Sequence, residues 1–329
     1  MTRRFLPSLC IALVLLLSAC GKQADPAKPE GPYPALWEIA DSRGAVEGWL
    51  FGTIHALPDG AKWRSPQLDA VLAEADMLVV EVANLENGDE LSTLFEEMAF
   101  DRPAGPLAQR IDPALRDEFE TLLVKAKVRR GYFDPLESWA AALALAQVAQ
   151  SSKSENGADR ALLAVFDKRE VVELEGARKQ LAIFDTLPES EQRDLLNAVL
   201  EESRANEGEI SALATAWLDG DTEQLTQLTR RGILADRELA QALLRDRNAD
   251  WAAQIENLLS ARDKPLIAVG AGHLLGWDGR APRLATRNAA GTLDAWGVRV
   301  DTRPVPKVVR GSGGPQRGAT ASRRTNSLM

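Results

Sequence analysis

Short apolar runs alternate along this chain with longer stretches of helical spacing. Leu36 to Ala40 alternates as a half-buried strand, Asp41 to Gly44 supplies turn chemistry, and Val46 to Gly52 reads as a second strand, which together predict a hairpin. Ser65-Pro66 caps and opens a helix in which Leu68, Val71, Leu72 and Ala75 share one face. Met77 to Val82 is then a buried strand interrupted by one acid, Glu81, so Trp49 to Val82 forms a strand–helix–strand unit. Helical spacing covers Glu90 to Ala99, Pro113 to Val128 and Pro135 to Gln150, the last two entered through Asp-Pro pairs at 112–113 and 134–135. A further helix starts at Gly157-Ala158-Asp159, and Glu170 to Glu175 is a third strand ending in acids. Helices resume over Ala177 to Asp185, Glu189 to Leu218, Thr222 to Leu228 and Asp236 to Ser260. Pro265 to Val269 is a fourth strand, and Val298 to Val300 a candidate closing one. This predicts an α/β fold: a central mixed sheet of few strands with a large helical insertion.

Two segments stand out from this pattern. Phe51-Gly52-Thr53-Ile54-His55 and Val269-Gly270-Ala271-Gly272-His273 each place a histidine three residues after a glycine at the end of an apolar strand, and the chain has no other histidine. Strand ends are where α/β sheets place ligands. The shared context predicts that both imidazoles meet at one site. Glu81 is the leading carboxylate partner, because an unpaired charge at the end of an apolar strand is costly. Its options are a metal ligand, a general base for water, or a structural pair with an arginine. Glu173 and Glu175 follow on the next strand, where alternation puts both on one face, with Glu175 nearer the sheet end. Asp159 reads first as a helix cap. Arg247 and Asn248 lie in a charged helical run that reads as a solvated face.

Composition narrows the function classes. A net charge of −9 offers no positive field for nucleic acid, so no nucleic-acid partner is expected. Arg3 and Arg4 followed by an apolar stretch from Leu6 to Leu17 form a signal peptide over residues 1–19, too short for a comfortable membrane span. It ends in Leu17-Ser18-Ala19-Cys20, which resembles a bacterial lipobox and implies lipidation of Cys20. The absence of Asp at the second mature position resembles the sorting pattern of outer-membrane lipoproteins facing the periplasm. Cys10 falls in the removed segment, so the mature chain has no second cysteine for a disulfide. Residues 20–35 form a Pro-rich tether, 36–302 the folded domain, and 303–329 a basic tail of disordered composition.

With these residues assembled, the pattern resembles the TraB/GumN family, which is similar to the Tiki-type metalloproteases and more distantly to the erythromycin esterases. The resemblance runs through Phe51 to His55, Leu78 to Glu81, Gly157 to Asp159, Val172 to Glu175, Arg247-Asn248 and Val269 to His273, over about residues 36–278. It implies an EreA/ChaN-like, Tiki-type α/β fold with one site built from both histidines and a strand-end glutamate. By the same resemblance His55, Glu81 and His273 hold a divalent ion (manganese, cobalt or zinc), and a carboxylate activates its bound water. Arg247 becomes a candidate oxyanion stabiliser, and Asn248 and Glu175 candidate substrate-binding residues. The function so implied is a lipid-anchored, metal-dependent hydrolase of peptide or amide bonds with a peptide or protein substrate. A non-catalytic protein that captures a peptide or envelope ligand in the same cleft is the alternative. A third reading is ester hydrolysis without metal, with histidine as general base.

Overall fold

The computed structural model describes residues 33–275 apart from 42, 86, 103–104, 151–153, 205–206 and 262; side chains are described for the same residues except 154 and 207–211. The lipobox, the tether up to residue 32, the expected strand at 298–300 and the basic tail lie outside the described residues.

Five strands form one mixed sheet in the order β1-β2-β5-β3-β4: β1 Leu36–Ala40, β2 Val46–Thr53, β3 Met77–Val80, β4 Glu170–Glu173 and β5 Pro265–Gly270. The predicted hairpin is there, with β1 antiparallel to β2. The other contacts are parallel, β2 with β5, β5 with β3 and β3 with β4. Four strands therefore point their carboxyl ends the same way, and every one of them delivers a residue to one site.

Alternation sorts the apolar side chains by sheet face. Trp49, Phe51, Leu78, Val80, Leu266 and Ala268 pack on one side against α1 (Pro66–Glu74), and against Ala158 and Leu162 further along the chain. Leu50, Val79, Ile267 and Val269 pack on the other, against Trp251, Ile255 and Leu259. Ser65 caps α1 as its sequence predicts, its hydroxyl accepting from Leu68 N–H at 3.0 Å. The insertion has its own core, built from α2 (Gly88–Met98), α3 (Arg116–Ala126) and the alanine-rich α4 (Ser138–Ala149). After α5 (Ala158–Val165) it continues through α6 (Gly176–Asp185), α7 (Glu189–Glu202), α8 (Glu207–Leu218) and α9 (Thr222–Thr229). The last long helix opens as α10 (Arg237–Ala240), passes through a π-helical turn at Gln241–Arg245, and runs on as α11 (Asp246–Ser260), before the single turn α12 (Ala271–Leu274).

Three boundaries differ from expectation. Asp134-Pro135 does not open α4, which starts at Ser138; Asp134 instead accepts from Leu107 N–H at 2.9 Å. The helix expected over 189–218 divides into α7 and α8. β4 ends at Glu173, so Glu173 and Glu175 do not share a strand face. The Glu173 carboxylate turns outward to accept from Ala83 N–H at 2.6 Å, whereas the Glu175 side chain is buried against Arg247.

Candidate functional site

The glycine of the first Gly-x-x-His is a contact with the second. A Cβ at Gly52 would lie 3.2 Å from both Cα and Cβ of Ala271, so the two motifs pack backbone to backbone. Trp217 closes this region, its indole donating to Gly52 O at 2.8 Å. Beyond β2, His55 meets Asp159 in the first turn of α5, Nδ1 to Oδ2 at 2.7 Å. Asp159 is therefore not spent as a helix cap. Burial opposes the charge on His55, but the Asp159 carboxylate outweighs it and the pKa is raised to about 9. Asp159 is held below its ordinary value: burial opposes its charge, but His55 outweighs it. His55 Nε2 is buried and has no hydrogen-bond partner, although the ring as a whole is 24% exposed.

Glu81, past the end of β3, is buried and fully engaged from two sides. Oε1 accepts from Gly270 N–H at 2.7 Å, and Oε2 accepts from Arg247 Nη2 at 2.6 Å and Gln180 Nε2 at 3.2 Å. Burial alone would push its pKa up, but Arg247 outweighs burial and the carboxylate is held below its ordinary value. Arg247 is not on a solvated face. Its Nη2 also donates to Glu175 Oε1, its Nε to Glu175 Oε2 at 3.2 Å, and its Nη1 to Leu243 O at 3.0 Å and His273 Nε2 at 3.1 Å. A guanidinium has five N–H donors, and all five are used. At Glu175 burial wins over Arg247, and its pKa is raised.

His273 is wired differently from His55. Its Nδ1 lies 2.6 Å from Asn248 Oδ1, and Asn248 Nδ2 donates to the His273 carbonyl at 3.2 Å. Burial and the adjacent Arg247 hold its pKa well below 6.5, so the ring is neutral. Trp251 backs both groups, with its ring centroid 4.3 Å from that of His273 and 4.7 Å from the Arg247 guanidinium carbon.

The structure thus gathers His55, Glu81, Glu175, Arg247, Asn248 and His273 at the carboxyl ends of β2, β3, β4 and β5, and adds Asp159 and Gln180. The expected ligand set is another matter. Among the described residues, Glu191, Asp236 and Glu238 are the trio whose ligand atoms approach within 4.8 Å of one another; His55, Glu81 and His273 do not form such a group. The single lone pair of a neutral His273 Nε2 is committed to Arg247, and Asp159 favours a proton on His55 where a ligand must be unprotonated. The donors as arranged do not fit a divalent ion shared by both histidines. Nor does Arg247 keep a free donor for an oxyanion. A cavity of about 540 Å³ beside the site runs between α2 and α6, lined by Asn84, Leu94, Glu97, Glu173 and Arg178 among others, and none of the cluster lines it.

The family profile of TraB/PrgY/gumN matches residues 35–289, which spans the whole sheet, the insertion and both Gly-x-x-His segments. The chain belongs to the TraB/PrgY/gumN family. No curated protein and no solved structure matches it. Within this TraB/PrgY/gumN chain, Gln180 is a site residue that the sequence pattern does not show, and Asp159 one that it shows first as a helix cap. An aspartate in a first helical turn has the local signature of a cap, and Gln180 carries no motif; each is recruited by a partner about a hundred positions away.

Proposed function

We propose that this protein is a lipid-anchored envelope hydrolase of peptide or amide bonds in which His55, held by Asp159, activates the attacking water. One observation carries the reading. Of the four imidazole nitrogens in the cluster, His55 Nε2 alone lacks a hydrogen-bond partner, on the ring that reaches solvent, while the side chains of Glu81, Glu175, Arg247 and His273 are at most 7% exposed. A buried unpartnered nitrogen is costly to keep and marks a working position. Asp159 fixes the ring orientation through Nδ1 and stabilises the imidazolium that forms when Nε2 takes a proton from water. Glu81, Arg247, Glu175 and His273 form the rigid wall behind it. The bond class comes from the resemblance to Tiki-type proteins. The manganese, cobalt or zinc of that resemblance supplies no step here, because the donors do not gather around one ion.

The test is mass spectrometry of a peptide mixture incubated with purified protein, before and after chelation. The expected result is cleavage that survives chelation and is lost in His55→Ala by about 10²–10⁴-fold. Cleavage that stops on chelation restores the metal-dependent form. Peptides that are retained but come back intact give the capture reading instead. The envelope assignment rests on the Leu17-Ser18-Ala19-Cys20 segment. Cys20→Ala is expected to abolish lipid labelling and leave the protein out of the outer-membrane fraction.

A further inference from the structure

Acceptors converge on the Arg247 guanidinium as ligands converge on a metal ion. They are Glu81 Oε2, both Glu175 oxygens, the Leu243 carbonyl and the His273 ring nitrogen, and the Arg247 side chain is 4% exposed. Two carboxylates and an imidazole are an ordinary set for a divalent cation. Here the positive centre belongs to the chain. We propose that Arg247 is the resident cation of the paired Gly-x-x-His site, and that Asn248 commits His273 to it by fixing the Nδ1–H tautomer.

The proton placement follows from who can donate. Asn248 Nδ2 donates to the His273 carbonyl, which turns its Oδ1 toward the ring. An amide oxygen only accepts, so Nδ1 carries the proton. A guanidinium only donates, so Nε2 must offer its lone pair. Both contacts agree on one tautomer, and a proton on Nε2 would set donor against donor at 3.1 Å. The backbone supports this assignment. The π-helical turn at Gln241–Arg245 lies immediately before Arg247, and such turns shift a helix's register so that the following residues face a new direction. Arg247 and Asn248, adjacent in sequence, both reach His273. A divalent ion at His273 Nε2 would have to displace a guanidinium that has no other place to put its charge. This inference holds whether or not His55 turns over a substrate, so its failure and the failure of the hydrolase reading are separately visible.

The chain has two histidines, so ¹⁵N-histidine labelling of the full-length protein, purified without a histidine tag, gives two rings, assigned with His55→Gln. Between about pH 6 and 9, a span that covers ordinary histidine titration, His273 is expected to show one protonated and one bare nitrogen. Its signals should neither shift with Zn²⁺ nor broaden with Mn²⁺. A protonated Nε2, or a His273 signal that responds to either ion in the wild type, overturns the proposal. Asn248→Leu removes the Nδ1 acceptor and leaves Arg247 as the remaining constraint, so a minor Nε2–H population should appear; an equally pure tautomer in Asn248→Leu counts against the lock. Arg247→Ala opens the Glu81, Glu175 and His273 acceptors, so Zn²⁺ should raise its thermal midpoint and leave that of the wild type unchanged. The reverse pattern overturns the proposal, and if Arg247→Ala does not fold, the wild-type His273 signals decide it alone.

Discussion

Two imidazoles that look alike in the sequence are opposite in chemistry, and the difference is one neighbour each. His55 faces a carboxylate and is driven toward the charged form; His273 faces an amide oxygen and a guanidinium and is held neutral. The matched glycines announced a shared site, since their spacing is local. Nothing local announced which partner each ring would meet, because Asp159 and Asn248 arrive from different helices. If His55 is the base, it must be neutral to act, and at pH 7 a group with its pKa near 9 is neutral in only about one molecule in a hundred. Turnover should therefore climb about tenfold per pH unit from neutrality and level off near pH 9. Asp159→Asn removes the charge that raises the pKa, so the climb should move toward pH 6.5 while the plateau falls. A pH–rate profile of wild type and variant checks both, and an unchanged midpoint in Asp159→Asn would show that Asp159 does not act through His55.

At the scale of elements, the period of the apolar pattern located every strand of the sheet within a residue or two: β2, β3 and β5 are nearly continuous buried runs with few ways to sit, and β1 alternates buried with half-buried positions, while β4 is the most exposed. The helical insertion was less legible. Its ends are decided by caps and by long-range pairs such as Asp134 with Leu107, and the π-helical turn before Arg247 has no sequence signature at all. The close approach of β2 and α12 carries its own expectation. Gly52→Val puts branched methyls where Ala271 already sits at 3.2 Å, which should cost about 1–3 kcal/mol by overpacking and separate the two Gly-x-x-His segments. Denaturant melts should show the loss, with His55 and His273 ring signals both displaced. Gly232 is constrained differently. Its φ is +61°, and an added Cβ would fall 1.7 Å from Glu202 Oε1, an oxygen that accepts from Ile233 N–H at 2.9 Å. Gly232→Ala should therefore destabilise the fold by at least about 1 kcal/mol, more than an ordinary surface change, read as a lower thermal midpoint.

Across the whole molecule, the buried ionisable groups set one pH dependence. Glu202 ordinarily titrates near 4.5, but burial outweighs its Ile233 N–H bond and raises it to about 7. Between those values the folded state keeps a proton that the unfolded chain sheds, so stability falls as pH rises. His55 ordinarily titrates near 6.5 and is raised to about 9, which gives the same sign in the next window: its contribution is complete below 6.5 and is lost on passing 9. Glu81 and Asp159 act oppositely, since both are held below their ordinary values and lose their contribution only as the medium turns strongly acid. His273, held well below 6.5, adds stability as pH rises to about 6.5 and opposes Glu202 there, so the midpoint of thermal unfolding should change little between about pH 5 and 6.5 and decline from there toward pH 9, at up to about 1.4 kcal/mol per pH unit for each proton involved. Two substitutions separate the windows. Glu202→Gln keeps an acceptor for Ile233 N–H and should remove the falling contribution between about pH 4.5 and 7, a gain on the order of 2 kcal/mol at neutral pH once partial solvent access is allowed for. Asp159→Asn should flatten it between about pH 6.5 and 9 and leave the lower window as it was. Calorimetry across pH on the wild type and the two variants reads all three slopes. A wild-type midpoint that rises from pH 6.5 to 9 would mean that His55 does not keep its proton in the fold, and would remove the stabilisation that Asp159 is argued to give its imidazolium.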